Sequence, residues 1–266
     1  MPRYGRIHRF GALKRTVSDL RTVIQRFEPI SLNEMDGVKL QDRVDTKYVL
    51  GMDQLNTVLE AMLADYRLLE VEGVRGTRYR SLYFDTEDLR HYQDHHNART
   101  FRCKVRFREY VGSDLIYLEV KRKTGRGRTD KKRMRVASIP TALDPEQHAF
   151  VTKASGVEEA LQATLWNNFT RYTFVNKSTP ERLTMDLDLT YSDGVMERPL
   201  GGIVIAELKQ DRADRTSPFV QLMRSRVIAA SGMSKYCVGM LLLNKNVKHN
   251  AFKAVLLKLE RLRNAA

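Results

Sequence analysis

The feature that most constrains this chain is a run of alternating charged and uncharged positions between Thr100 and Val111. Arg102, Lys104, Arg106 and Arg108 occupy every second position, with Phe101, Cys103, Val105 and Phe107 between them. A period of two belongs to a β-strand, whose successive side chains point to opposite faces. The segment therefore presents four cations to one side and an apolar row to the other. The same pattern recurs. Arg43, Asp45 and Lys47 share a face within 42–50, as do Glu119, Lys121 and Lys123 within 115–123, and Lys131, Arg133 and Arg135 within 129–137. Arg182 aligns with Thr184, Asp186 and Asp188 within 182–191, and Glu207 with Lys209 within 203–209. Further strands are expected at 67–72, 78–84 and 168–176.

Between the strands the apolar spacing turns helical. Asp53 is expected to cap a helix carrying Leu55, Val58, Leu59, Met62 and Leu63. Other helices are expected at 87–95, 145–166, 218–230 and 246–263, with a short one near 18–26. Many long strands in hairpins, with helices inserted or appended, predict an α+β fold around one antiparallel, barrel-like sheet. The expected organisation is a basic N-terminal segment over 1–26, the barrel domain over 27–245, and a C-terminal helix over 246–266 docked on or near the barrel.

One strand with a charged face is usually a solvated strand. Several neighbouring strands with the same sign are different, because like charges facing each other across a ladder are destabilising. The chain as a whole carries 46 Lys and Arg against 32 Asp and Glu, a net charge of +14, and such an excess recruits anions. A mostly basic set of strand faces is reasonable if it closes around a polyanion, since guanidinium and ammonium groups match phosphate oxygens. The few carboxylates on these faces are then candidate oxygen ligands for a divalent ion bridging phosphates. Specific binding of nucleic acid is not expected, because neither a recognition helix nor an aromatic stacking platform is evident.

Other features carry less. Cys103 and Cys237 are far apart in sequence and form no CxxC, so neither a disulfide framework nor a cysteine zinc site is expected. No apolar run reaches membrane-spanning length and the first residues lack a secretory pattern, so a soluble, cytoplasmic protein is expected. His91 and His95 stand four apart, but without a third ligand they read as an exposed polar helix. Gly125-Arg-Gly-Arg128 lacks the Gly-Lys-Ser/Thr of a phosphate loop and reads as a hairpin tip. Trp166 is assigned to the core.

Eight segments resemble, in order, a known family: Arg43-Val-Asp-Thr-Lys-Tyr-Val, Ser81-Leu-Tyr-Phe-Asp-Thr, Lys104-Val-Arg-Phe-Arg-Glu-Tyr, Leu118-Glu-Val-Lys-Arg-Lys, Arg171-Tyr, Arg182-Leu-Thr-Met-Asp, Ala206-Glu-Leu-Lys and Ser234-Lys-Tyr. They are similar to the VTC domain, the catalytic domain of the vacuolar transporter chaperone polyphosphate polymerase, among the triphosphate tunnel metalloenzymes. The resemblance spans about residues 27–245. It implies an eight-stranded antiparallel β tunnel barrel, a nucleoside triphosphate substrate and a Mn2+ or Mg2+ ion. By the same resemblance, Lys47, Arg106, Arg108, Lys121, Arg171 and Lys235 are the expected catalytic cations. Lys104, Lys131, Arg133, Arg182 and Ser234 are expected to bind substrate, with Ser234 donating to a phosphate oxygen. Glu207 matches the metal-binding glutamate, Glu119 is a second candidate, and Asp186 is either a site carboxylate or a hydrogen-bond partner of a neighbouring arginine.

The hydrolytic members of that superfamily open with Glu-x-Glu-x-Lys, where this chain reads Arg43-x-Asp45-x-Lys47. Hydrolysis needs a carboxylate or a second metal to activate water; transfer to an already ionised phosphate needs positioning and positive charge. The exchange favours a polymerase extending polyphosphate from ATP, with pyrophosphate or polyphosphate as acceptor. Hydrolysis of triphosphate, or binding of polyphosphate or an inositol pyrophosphate without turnover, are the alternatives. Any translocation of the product would need a separate membrane partner.

Overall fold

A computed structural model describes residues 20–36, 44–125 and 129–265. Arg43 and residues 126–128 of the glycine–arginine turn lie outside them. The strands are β1 (Pro29–Ile30), β2 (Val44–Gly51), β3 (Tyr66–Leu69), β4 (Gly76–Asp85), β5 (Arg102–Tyr110), β6 (Ile116–Lys123), β7 (Thr129–Val136), β8 (Gln162–Asn176), β9 (Glu181–Ser192), β10 (Glu197–Pro199) and β11 (Ile203–Gln210). The helices are α1 (20–26), α2 (Leu32–Asp36), α3 (Met52–Met62), α4 (Arg90–His96), α5 (Pro145–Ser155), α6 (Pro218–Ser225), α7 (Lys235–Leu243) and α8 (Lys253–Ala265).

Eight strands form one antiparallel path in the order β2-β11-β9-β8-β4-β5-β6-β7, with β3 and β10 added beside β8 and β9. The α+β, eight-stranded expectation holds, but the sheet is not closed by a backbone ladder: among the described residues β2 and β7 do not pair. The two ends instead approach through side chains. Lys121 of β6 lies 3.9 Å from Asp45 of β2, so the sheet curls into a trough with its charged rows inside.

Packing of the opposite face fixes that curl. Leu82, Phe84, Val105, Phe107, Leu118 and Val120 point outward from β4, β5 and β6 and bury against Val151 of α5. On the other half, outward residues of β2, β9 and β11 pack with α3, α6 and α1, which contributes Leu20, Val23 and Ile24. Burial of such side chains stabilises by roughly 1.5–3 kcal/mol each, so a slip by one residue would place the cations in this apolar layer and is strongly disfavoured. A third cluster forms on the concave side. Along β2 and β11 the inner positions pass from Lys47 and Glu207 to Val49, Ile205 and Ile203, and these apolar residues meet Tyr236, Cys237 and Met240 of α7. Helix α7 thus fills one end of the trough, while α8 packs against β2 and β11 with Leu259 buried.

Four local expectations are corrected. Helix α3 starts at Met52 behind Gly51, with Asp53 in its first turn rather than at the cap. The helix expected through Trp166 stops at Ser155, because Gly156 adopts a left-handed φ of 75°. Residues from Gln162 then enter β8, with Trp166 opposite Leu82 of β4; Leu161 and Leu165 had helical spacing but serve two layers. Trp166 is only half-buried and lies under the Arg80 guanidinium at 4.1 Å. Finally, α4 is not an exposed polar helix: His91 and Tyr92 are buried against Asp85.

Candidate polyphosphate site

The concave face is built strand by strand from cross-strand partners. On β4 and β5 the inner pairs are Ser81 with Arg108 and Tyr83 with Arg106; on β5 and β6 they are Lys104 with Lys121 and Arg106 with Glu119. Across the trough the pairs are Arg171 with Asp186 and Lys47 with Glu207. Helix α7 adds Lys235 from its first position, since Ser234 caps the helix by accepting a hydrogen bond from the Cys237 amide at 3.3 Å. The structure therefore brings Lys47, Lys104, Arg106, Arg108, Arg171 and Lys235 into one interior.

Glu119, Asp186 and Glu207 are each engaged by cations. Glu119, only 2% exposed, accepts from Arg106 Nε and Nη2 at 2.9 and 2.7 Å, is 4.0 Å from Arg108, and pairs with Lys131. Burial would raise its pKa, but Arg106, Arg108 and Lys131 outweigh burial and hold it well below the usual range. Asp186 accepts from Arg171 and pairs with Lys235. Burial again opposes ionisation and the two cations again prevail, so it too stays ionised. Glu207 pairs with Lys209 and lies 3.7 Å from Lys47.

The cations remain in excess. Lys104 pairs with no carboxylate among the described residues; burial first, then repulsion from Lys47, Lys121 and Arg106, lowers its pKa to about 7. Burial also brings Lys131 and Lys235 down to about 8, against the pull of Glu119 and Asp186 respectively. Arg108 is lowered to about 10 by burial and by Arg106. An aromatic pair supports this crowding: Tyr79 and Phe169 stack with centroids 5.2 Å apart. Arg108 and Arg171 each lie 5.1 Å from the Tyr79 ring, and Lys235 lies 4.9 Å from Phe169.

The remaining expected residues sit toward the rim. Lys121 is half-exposed beside Asp45. Arg133 is exposed, its guanidinium 4.8 Å over the Tyr117 ring, and Arg182 faces Lys209 across β9 and β11. Asp188, expected beside Asp186, leaves the inner face: its φ of 55° reverses the alternation, and it is exposed where Asp186 is buried. Sequence reasoning did not name Lys209, Tyr79, Tyr83 or Phe169 as site residues. Position parity alone would have placed Tyr79 and Tyr83 beside the cations, since both share the face of Ser81.

The donor set decides how a divalent ion fits. Among the described residues no three His, Cys, Asp or Glu side chains gather as a preformed metal cage. Glu119, the second metal candidate of the sequence, is already surrounded by three cations and does not suit an ion. Glu207 suits one better: its carboxylate is partly exposed, and although Lys209 pairs with one oxygen, the contact of the other to Lys47 is loose. Mg2+ and its relatives commonly take one or two carboxylates and complete their shell with substrate phosphates. His95 is no ligand candidate either, its Nε2 lying 3.2 Å from the Cys103 carbonyl oxygen. Burial and then Lys104 lower its pKa to about 2.

A curled, unclosed antiparallel sheet with an interior excess of fixed cations defines a tunnel-like protein suited to a polyanion. The chain belongs to the VTC domain family, whose model matches residues 42–244, and that membership ties the tunnel to polyphosphate-related, triphosphate-binding chemistry. No curated protein matches the chain. Among solved structures it is similar to HpAC1 from Hippeastrum, a protein with a dominant triphosphatase activity, at 15% identity over 77% of this chain and 100% of that one, TM-score 0.47. It is also similar to PH1819 and PH1012 from Pyrococcus horikoshii OT3, at 10% and 11% identity. These likenesses cover 74% and 76% of this chain and 96% and 99% of those, with TM-scores of 0.43 and 0.41. No helix among the described residues is long and apolar enough to cross a membrane.

Proposed function

We propose that the protein is a metal-dependent polyphosphate polymerase that transfers the γ-phosphoryl group of ATP to the end of a polyphosphate chain. The observation that carries this reading is the commitment of Glu119, Asp186 and Asp45 to cations, with Glu207, paired with Lys209, left as the carboxylate for the metal. A water molecule would find no carboxylate free to deprotonate it there, whereas an ionised phosphate acceptor needs none.

In this reading a terminal oxygen of the acceptor attacks the γ-phosphorus while the bond to the β–γ bridging oxygen breaks. ADP leaves with that electron pair, and no proton need be moved. Lys47, Arg106, Arg108, Lys121, Arg171 and Lys235 hold the reacting phosphates in line and neutralise the spreading charge. Lys104, Lys131, Arg133, Arg182 and Ser234 hold the rest of the chain. Glu119 and Asp186 act as buried counter-charges that fix the arginines. Glu207 would hold Mn2+ or Mg2+, which would supply positive charge against the mutual repulsion of the phosphates.

Incubation with ATP and Mn2+, with and without pyrophosphate, tests this directly. A product ladder that lengthens with time alongside ADP supports the polymerase. Free phosphate without a ladder replaces it with a triphosphatase. Binding of polyphosphate without either product leaves a non-catalytic module.

A further inference from the structure

Tyr83 lies on the concave face of β4, opposite Arg106 in the ladder. Its hydroxyl oxygen accepts a hydrogen bond from Arg106 Nη1 at 3.0 Å, while Nε and Nη2 of the same guanidinium are donated to Glu119. The ring stacks on Tyr236 of α7, with centroids 5.1 Å apart and planes at 26°. The phenol is thus held at both its ring and its oxygen.

A phenol has one proton to donate, and for the Tyr83 proton there is no acceptor among the described residues. Arg106 of β5 touches the oxygen, and Arg108 of β5, Lys47 of β2 and Lys235 of α7 act on the phenol electrostatically from three elements. Tyr191 of β9 faces it as a second phenol, held neutral by burial. The carboxylates of this neighbourhood, Glu119 and Asp186, are engaged by Arg106 and Lys235. A buried donor without an acceptor is costly, and the cationic neighbourhood of this phenol attracts an anion that could accept its proton.

We propose that Tyr83 is a phosphate-binding residue whose hydroxyl donates a hydrogen bond to a phosphoryl oxygen of the anion gripped by Arg106, Arg108, Lys47 and Lys235. This role rests on the tunnel being a polyphosphate site. With the tunnel free of anions, burial opposes ionisation of the phenol, but Arg106, Arg108 and Lys235 outweigh burial and hold it below its ordinary range. A phosphate oxygen takes over those cations and repels a phenolate. Binding therefore draws a proton onto Tyr83, and that proton makes the hydrogen bond.

The test is calorimetric titration of the full chain with tripolyphosphate, in two buffers of different ionisation enthalpy, repeated at several pH values below the ordinary tyrosine range. Tyr83→Phe keeps the ring and its stacking. It is expected to bind about tenfold more weakly, the size of one hydrogen bond to a charged acceptor, and to take up measurably less proton than wild type. Wild-type binding with equal affinity and equal proton uptake in the variant overturns the role of Tyr83 and leaves the tunnel reading standing. No binding of tripolyphosphate by wild type overturns the tunnel reading itself, and this role with it. Should the variant fail to fold, the near-ultraviolet tyrosinate band of wild type gives the second measurement. A fall on addition of tripolyphosphate supports the proposal, and an unchanged band overturns it.

Discussion

Arg171 donates two hydrogen bonds to Asp186, Nε to Oδ1 at 2.6 Å and Nη2 to Oδ2 at 2.8 Å, and Lys235 completes the triad from helix α7. One buried carboxylate thus holds together two cations from a strand and a helix. Asp186→Asn removes the charge and leaves Arg171 and Lys235 facing each other. Urea denaturation should show a loss of about 3 kcal/mol, as for other broken buried ion pairs. Tripolyphosphate should restore more stability to the variant than it adds to wild type, because the ligand supplies the missing anion.

The lowered lysines make stability depend on pH with a definite sign. Lys104 is near 7, and Lys131 and Lys235 near 8, against an ordinary value of 10.5. Between about pH 7 and pH 9 the unfolded chain therefore binds more protons than the folded one, and stability rises with pH. Thermal melting without ligand should show the midpoint climbing over this window. Saturating tripolyphosphate should flatten the slope, since bound phosphate keeps these lysines protonated. A midpoint falling from pH 7 to pH 9 in the ligand-free protein would contradict the assignment.

Glu207 pairs with Lys47 and Lys209 on the floor of the trough. Glu207→Ala should abolish metal-dependent turnover of ATP while leaving the melting temperature close to wild type. Binding of tripolyphosphate without metal should tighten, because two lysines lose their competing carboxylate. A wild-type turnover rate would remove Glu207 from the metal role.

Gly239 lies in α7 against the Tyr191 ring, where an added Cβ would stand 2.6 Å and 2.9 Å from ring carbons. Tyr191 is fully buried and rigidly packed, so the contact cannot be relieved by a flexible tip. Gly239→Ala should cost about 1–3 kcal/mol as overpacking, measurable as a lower midpoint in urea. Weaker phosphate binding should accompany it, since α7 carries Lys235.

Much of the concave face was legible as period-two alternation. Lys104, Arg106, Arg108, Glu119 and Lys47 all lie on the inner side that parity assigns them, because an extended strand sends alternate side chains to opposite faces and so separates charge from its apolar row. Parity failed where the backbone left the strand conformation, as at Asp188. Helical spacing misled near Leu161 and Leu165, since four apolar positions in a short run fit a buried strand as well as a helix. The burial of α4 was illegible for another reason. His91 owes its buried place to Asp85, a carboxylate six positions earlier that accepts its amide, and hydropathy carries no sign of that contact.

The sequence alone determined which residues would share a face, the sign of that face, and the family to which its ordered segments belong. These are local properties, set by the fixed geometry of a strand and by residue type. Only the tertiary structure decided which cations meet which carboxylates. Lys235 reaches Asp186 across 49 positions of sequence, and Tyr83 reaches Arg106 from a different strand. Those meetings depend on how far the sheet curls and where α7 lodges, and both follow from apolar packing on three separate surfaces rather than from any local period.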